Sequence, residues 1–118
     1  MWFEIYVDDM ERARAFYEAV FEIGLEKLEN PSFEMWMFPL RSAQSYGAHG
    51  ALVKMDGVRA GGNSTIVYFS CDDCMIESAR ALQQGGTLFR EKFPIGENGF
   101  IALIIDTEGN LVGLHSRQ

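Results

Sequence analysis

At 118 residues, with 47% hydrophobic and 23% charged side chains, the chain has the size and make-up of a single globular domain. Its formal net charge of −7 provides no excess of Lys and Arg for phosphate, which excludes nucleic acid and disfavours anionic membrane surfaces as partners. No apolar run approaches the roughly 20 residues of a membrane helix. Met1-Trp2-Phe3-Glu4 lacks the basic-then-apolar order of a secretory signal, so a cytoplasmic protein is expected.

The first run of strand type is Trp2-Phe3-Glu4-Ile5-Tyr6, followed by Val7-Asp8-Asp9-Met10. Met10, Ala13, Phe16, Tyr17 and Val20 then recur at helical spacing. A short carboxylate at a helix start accepts from unpaired backbone N–H groups and suits the positive end of the helix dipole. Asp8 and Asp9 are therefore read as caps, Asp8 with Glu11 having the spacing of a capping box; an acid–base role for the pair is the alternative. Three strand-like runs follow, at 24–29, 33–38 and 50–55, separated by Asn30-Pro31 and Pro39. Residues 56–63 hold three of the chain's 12 glycines and read as a linker.

The same order then returns. Cys71-Asp72-Asp73-Cys74 echoes Val7-Asp8-Asp9-Met10 after a strand-like run at 65–69, and Ile76, Ala79 and Leu82 give a helical pattern that Gly85-Gly86 stops. Three more strand-like runs lie at 87–93, 100–105 and 110–115, with turns at Glu97-Asn98-Gly99 and Glu108-Gly109-Asn110. The chain thus reads as β-α-β-β-β twice, an α+β fold of two βαβββ modules (1–55 and 64–118) within one domain. One helix per module leaves a sheet face uncovered, so the halves should sit side by side with helices outside and a curved, cup-shaped mixed sheet between them. The runs at 33–38 and 100–105 are apolar at both parities and are expected to be covered on both faces, in part by a second subunit.

Cys71 and Cys74 form a lone C-x-x-C. Reduced thiols closing a strand and opening a helix are the simpler reading. A redox pair with a thiol pKa lowered by the helix N-terminus is the sharper one. A structural zinc site lacks a second pair of ligands.

The segments from Phe3 through Ala13 to Ala15-Phe16-Tyr17, and from Ile105-Asp106-Thr107-Glu108-Gly109-Asn110 through Ser116, resemble the glyoxalase/bleomycin-resistance (vicinal oxygen chelate) family. There a "V-x-D-x-x-R-A-x-x-F-Y" pattern opens the first helix. Ile95-Gly96-Glu97-Asn98-Gly99-Phe100 is similar to one glyoxalase-like branch of it. The resemblance implies the paired-module fold, a homodimer, and enzymes such as glyoxalase I and extradiol dioxygenases that hold a divalent metal with His and Glu. Those ligands would come from the first and last strands of each half. In this chain the implied positions are Trp2, Ile66, Gly113 and, in the first half's last strand, Val53 or Lys54. Trp, Ile and Gly offer a metal no side-chain donor, so no metal site and no cofactor are expected.

Strand alternation extends the reading. If Trp2 faces the cup, so do Glu4 and Tyr6; with Ile66 go Tyr68 and Ser70; with Gly113 go Leu111 and His115. The expected ligand-binding residues are Trp2, Tyr6, Ile66, Tyr68, Ser70, Leu111 and Gly113, with Gly113 leaving room for a ligand. Glu4 and His115, should they meet, form a candidate catalytic acid–base pair. A relocated metal site on Glu4, His115 and His49 is a further alternative, though His49 reads as solvated in the loop 46–50. Aromatic walls with few polar groups suit a small organic ligand. A metal-independent small-molecule-binding protein of the bleomycin-resistance type is the expected function. The alternatives are a lyase, isomerase or dioxygenase with a rearranged metal site, or an accessory domain with a filled cup.

Overall fold

Helix α1 (Met10–Phe21) buries Met10, Ala13, Phe16, Tyr17 and Val20, the apolar face its spacing predicts. Its N-cap is Asp9, whose carboxylate accepts from the Arg12 backbone N–H at 3.1 Å. Asp8, expected to cap through a box with Glu11, instead accepts from the Ala60 backbone N–H at 3.1 Å, because the linker folds back against it. Helix α2 (Cys74–Gln83) is capped by Asp73, which accepts from Met75 N–H at 3.0 Å and from the Lys92 ammonium at 2.8 Å.

The computed structural model describes residues 2–40 and 48–118. Strands β1 (Trp2–Tyr6), β2 (Glu26–Leu28), β3 (Glu34–Met37) and β4 (His49–Lys54) form one sheet in the order β1-β4-β3-β2. Strands β5 (Tyr68–Ser70), β6 (Thr87–Pro94), β7 (Phe100–Ile105) and β8 (Leu111–Ser116) form the second in the order β5-β8-β7-β6. In each sheet the strand before the helix pairs parallel with the last strand, and the remaining pairs are antiparallel. The fold is α+β, two βαβββ modules with open mixed sheets. Among the described residues no helix is long and apolar enough to cross a membrane.

Three expectations from the sequence need correction. Strand β5 is shorter than the run at 65–69 and shifted along it, so Ile66 precedes the strand. The reason lies in Asn63, whose side-chain amide donates to the Leu111 carbonyl (2.9 Å) and accepts from the Leu111 N–H (3.0 Å), replacing a strand ladder there. Helix α2 buries Cys74, Ser78 and Ala81, while Ile76 and Leu82 are each 49% exposed. Small residues on the inner face let α2 lie close to its neighbours. Gly86, just beyond it, could not carry a Cβ without coming within 2.9 Å of Phe16 and of the Ile105 carbonyl. Finally, β7 buries only Ala102 and Ile104, and its other parity, Ile101, Leu103 and Ile105, is half-buried.

One core joins the modules on the helix side. Phe69 of β5 stands among Phe3, Tyr17, Phe21 and Phe38 of the first module, with ring centroids 4.7 Å from Phe21 and 5.3 Å from Phe38. Such aromatic pairs add roughly 0.5–1.5 kcal/mol each beyond area burial.

The turn between β7 and β8 fastens this arrangement. The Glu108 side chain is fully buried and accepts from the backbone N–H groups of Asp8 (3.0 Å) and Asp9 (2.9 Å) and from Arg12 Nε (2.6 Å) and Nη2 (2.9 Å). Tyr17, wholly buried, donates its hydroxyl to Asp106 at 2.7 Å. Asp106 in turn accepts from the backbone N–H groups of Glu108 and Asn110, both at 2.8 Å. Asn110 donates to the Tyr6 carbonyl at 2.9 Å and accepts from the Gly61 N–H at 2.7 Å.

Glu108→Ala strips Arg12 and two backbone N–H groups of their shared acceptor. It is expected to cost about 3 kcal/mol in urea unfolding. Burial alone would raise the Glu108 carboxyl; Arg12, the Asp8 and Asp9 N–H groups and Thr107 outweigh it and hold it below its ordinary 4.5. A depressed carboxyl stabilises the fold above its unfolded pKa and loses that contribution as pH falls through its folded pKa. Stability should therefore fall on acidification below about 4.5, and the fall should be shallower in Glu108→Gln.

Candidate functional site

On β1 the odd-numbered Phe3 and Ile5 point to the helices, and the even-numbered Trp2, Glu4 and Tyr6 share the opposite face. There the Glu4 carboxylate accepts from Trp2 Nε1 at 3.1 Å and from the Tyr6 hydroxyl at 2.8 Å. This hydrogen bond is the main reason the Tyr6 phenol is raised above 10.0, with burial and the Glu4 charge adding to it. A carboxylate with two donors still has lone pairs free.

On the second sheet Val112, Leu114 and Phe69 pack toward the helices, so Leu111, Gly113, His115, Tyr68 and Ser70 share the other face. Gly113 lies opposite Tyr68 in the β5–β8 ladder, and a Cβ there would collide with the Tyr68 ring. The space that the sequence assigns to a ligand at Gly113 is taken by that ring. The first sheet is similarly filled, by a small cluster of Met35, Ala51 and Val53 with Tyr6, Leu28, Phe33 and Met55 packed against it.

Glu4 and His115 are each engaged elsewhere rather than with one another. His115 Nε2 lies 2.6 Å from the Asn98 carbonyl, which can only accept, so that nitrogen carries the proton. His49 opens β4 and is exposed; the part of its loop at 46–47 lies outside the described residues. The positions that the resemblance implies for a divalent ion hold Trp2, Ile66, Gly113 beneath Tyr68, and buried Val53 beside Lys54. Among the described residues no three His, Cys, Asp or Glu side chains converge as a metal set. Trp, Ile, Gly and Val side chains offer a metal no donor.

Strands β1 and β5 belong to different sheets, and two cavities open along their junction with Phe3 and Val67 as a common wall. The first, of about 390 Å³, lies between β1, the linker and the start of β8. Phe3, Ile5, Val58, Leu111 and Val112 give it apolar walls, and Glu4, Tyr6, Arg59, Asn63 and Asn110 place polar groups on it. The second, of about 330 Å³, lies toward the helices and is reached by Tyr68, Ser70 and His49. The expected lining residues are therefore divided: Glu4, Tyr6 and Leu111 border the first cavity, Tyr68 and Ser70 the second, and Trp2, Ile66, Gly113 and His115 border neither. Sequence reasoning missed Arg59 and Asn63, which lie in the glycine-rich linker, and Glu77, which lies on α2.

Residues 1–33 match the family model "Bleomycin resistance protein-like N-terminal". No curated protein matches the sequence. Among solved structures, similarity extends to glyoxalase I from Zea mays (22% identity, TM-score 0.75, 98% of this chain and 45% of that one). It extends also to a glyoxalase/bleomycin resistance protein from Albidiferax ferrireducens T118 (23%, TM-score 0.69, 99% and 97%). TnmS3, an antibiotic binding protein from Streptomyces sp. CB03234, is similar at 20% (TM-score 0.76, 99% and 93%). The fold is that of the glyoxalase/bleomycin-resistance family. The chain spans less than half the length of the maize enzyme, 46% in one of its structures.

The surroundings of Cys71, the first cysteine of the C-x-x-C, disfavour its thiolate. Cys74 is fully buried and Cys71 half-buried, both as free thiols. Burial first, then the neighbouring Glu77 carboxylate, pushes the Cys71 thiol up to about 12. A thiol protonated to that pH is a poor nucleophile. Iodoacetamide at pH 8 should leave both cysteines unmodified in the folded protein and alkylate both in urea, as intact-mass spectrometry would record.

Proposed function

We propose that this chain is a metal-independent small-molecule-binding protein whose ligand lies at the junction of the two modules, against Glu4, Tyr6 and Leu111. The observation that carries the reading is the cavity of about 390 Å³ there, apolar over most of its wall with a hydrogen-bonded carboxylate at its edge. Cavities of that size and character suit small organic molecules. Glu4 would hold an ammonium or hydroxyl group of the ligand, its carboxylate already oriented by Trp2 and Tyr6. An antibiotic-binding protein of the same fold supports the class of function. Metal independence rests on the poor fit of Trp2, Ile66, Gly113 and Val53 to a divalent ion.

Metal content and thermal shift test this reading on protein purified without a histidine tag. A ligand that binds only the folded state must raise the melting temperature by mass action. No bound metal, no shift with divalent ions, and a shift with members of a panel of small aromatic and cationic compounds that Glu4→Ala reduces are expected. Stoichiometric metal, or a divalent-ion shift removed by Glu4→Ala or His115→Ala, would overturn it in favour of a metal-dependent lyase, isomerase or dioxygenase. The filled first sheet and the Tyr68 ring over Gly113 favour a second reading, an accessory domain whose cup is closed by its own side chains. A panel that yields no shift at all would support that one.

Assembly as a homodimer belongs to the same proposal. What supports it is the apolar stripe of Met75, Ile76 and Leu82 on the outer face of α2, each about half exposed. Sedimentation velocity should give a dimer that Ile76→Glu with Leu82→Glu converts to monomer.

A further inference from the structure

The second cavity differs from the first in chemistry and in the elements that build it. Phe3, Phe21, Phe38, Tyr68 and Phe69 face it with aromatic rings, and Glu77 of α2 is the one carboxylate among the described residues that line it. The Glu77 side chain is only 15% exposed, and Oε2 has no hydrogen-bond partner among the described residues. Its nearest cation among the described residues, Arg80, stands 3.7 Å from Oε1 and is committed elsewhere, to Glu22 at 2.8 Å and to the Val20 carbonyl at 3.3 Å. The Cys71 thiol beside it is a weak donor. A buried carboxylate that lacks a full partner is costly unless something supplies one.

We infer that this cavity is a second binding site, for a small organic ammonium ion with an aromatic or apolar body. Aromatic faces attract a cation through their negative quadrupole, most strongly out of water. The carboxylate supplies the counter-charge. The last torsion of a glutamate is soft, so a small turn of the carboxylate brings an oxygen to the cavity wall. An anion would meet the Glu77 carboxylate there, and a neutral alcohol would leave the charge uncompensated. About 330 Å³ accommodates one ring and a short ammonium-bearing tail.

Calorimetric titration with 2-phenylethylammonium, and with 2-phenylethanol as its neutral counterpart, tests the site. The ammonium should bind saturably and the alcohol should bind more weakly by about tenfold or more, the size expected of one charge-assisted hydrogen bond. In the Glu4→Gln background, which removes the carboxylate of the first cavity, that difference should persist, and adding Glu77→Gln should remove it. In the same Glu4→Gln background Leu40→Arg sets a guanidinium on the wall from a half-exposed position and should also abolish ammonium binding, with an unchanged melting curve confirming an intact fold. Equal binding of the two compounds, no saturable heat, loss of the difference in Glu4→Gln, or its persistence once Glu77→Gln is added would overturn the proposal.

Discussion

The structure depends on one buried carboxylate. Glu108 reaches from the last turn of the second module to the first turn of α1 and gathers two backbone N–H groups and the two donors, Nε and Nη2, on one edge of the Arg12 guanidinium. Each donor is one that a helix start or a guanidinium would otherwise offer to water. A buried carboxylate needs this much compensation to stay charged. Beside it, Tyr17 and Asp106 form a second such contact, and Asn110 ties β1 to the linker. The described residues of the two modules share no sheet, so this polar knot, the rings around Phe69 and the contact of α2 with α1, where Arg80 reaches Glu22 and the Val20 carbonyl, fix their relation.

That relation creates the cavities. Two sheets whose facing edges are not hydrogen-bonded leave space on either side of the residues that touch. Here those are Phe3 and Val67, which divide the space in two. A binding site at such a junction inherits its geometry from the fastening, not from any loop. Loosening Glu108 would therefore disturb ligand binding at a distance from any ligand, through the angle between the sheets.

The paired modules were legible because strand and helix periods differ, and because the aspartate-led helix start occurs twice. Trp2, Glu4 and Tyr6 share a face for the simplest reason available, the two-residue period of a strand. What resisted reading was whatever depended on contacts between elements. The inner face of α2 consists of Cys74, Ser78 and Ala81, small residues chosen by close approach, while periodicity favoured its larger apolar side chains. The start of β5 was hidden because a side chain, Asn63, substitutes for the ladder. The separation of Glu4 from His115 was equally invisible, since it turns on the Asn98 carbonyl of a distant turn.

The residues that carry the family resemblance are the ones in the fastening. Asp9 caps α1, Arg12 meets Glu108, Ala13 and Phe16 fill the core, and Tyr17 holds Asp106. Their pattern speaks to how two βαβββ modules are joined, and chemistry can change around it without loosening the fold. Trp2, Ile66 and Gly113 stand where the resemblance implies first- and last-strand ligands, and none of them takes part in that fastening. Both carboxylates that face the junction, Glu4 and Glu77, also lie outside it. In a chain of net charge −7 they make the junction more hospitable to cations than to anions. The fold thus fixes where a ligand can sit, and side chains free of structural duty decide what charge it carries.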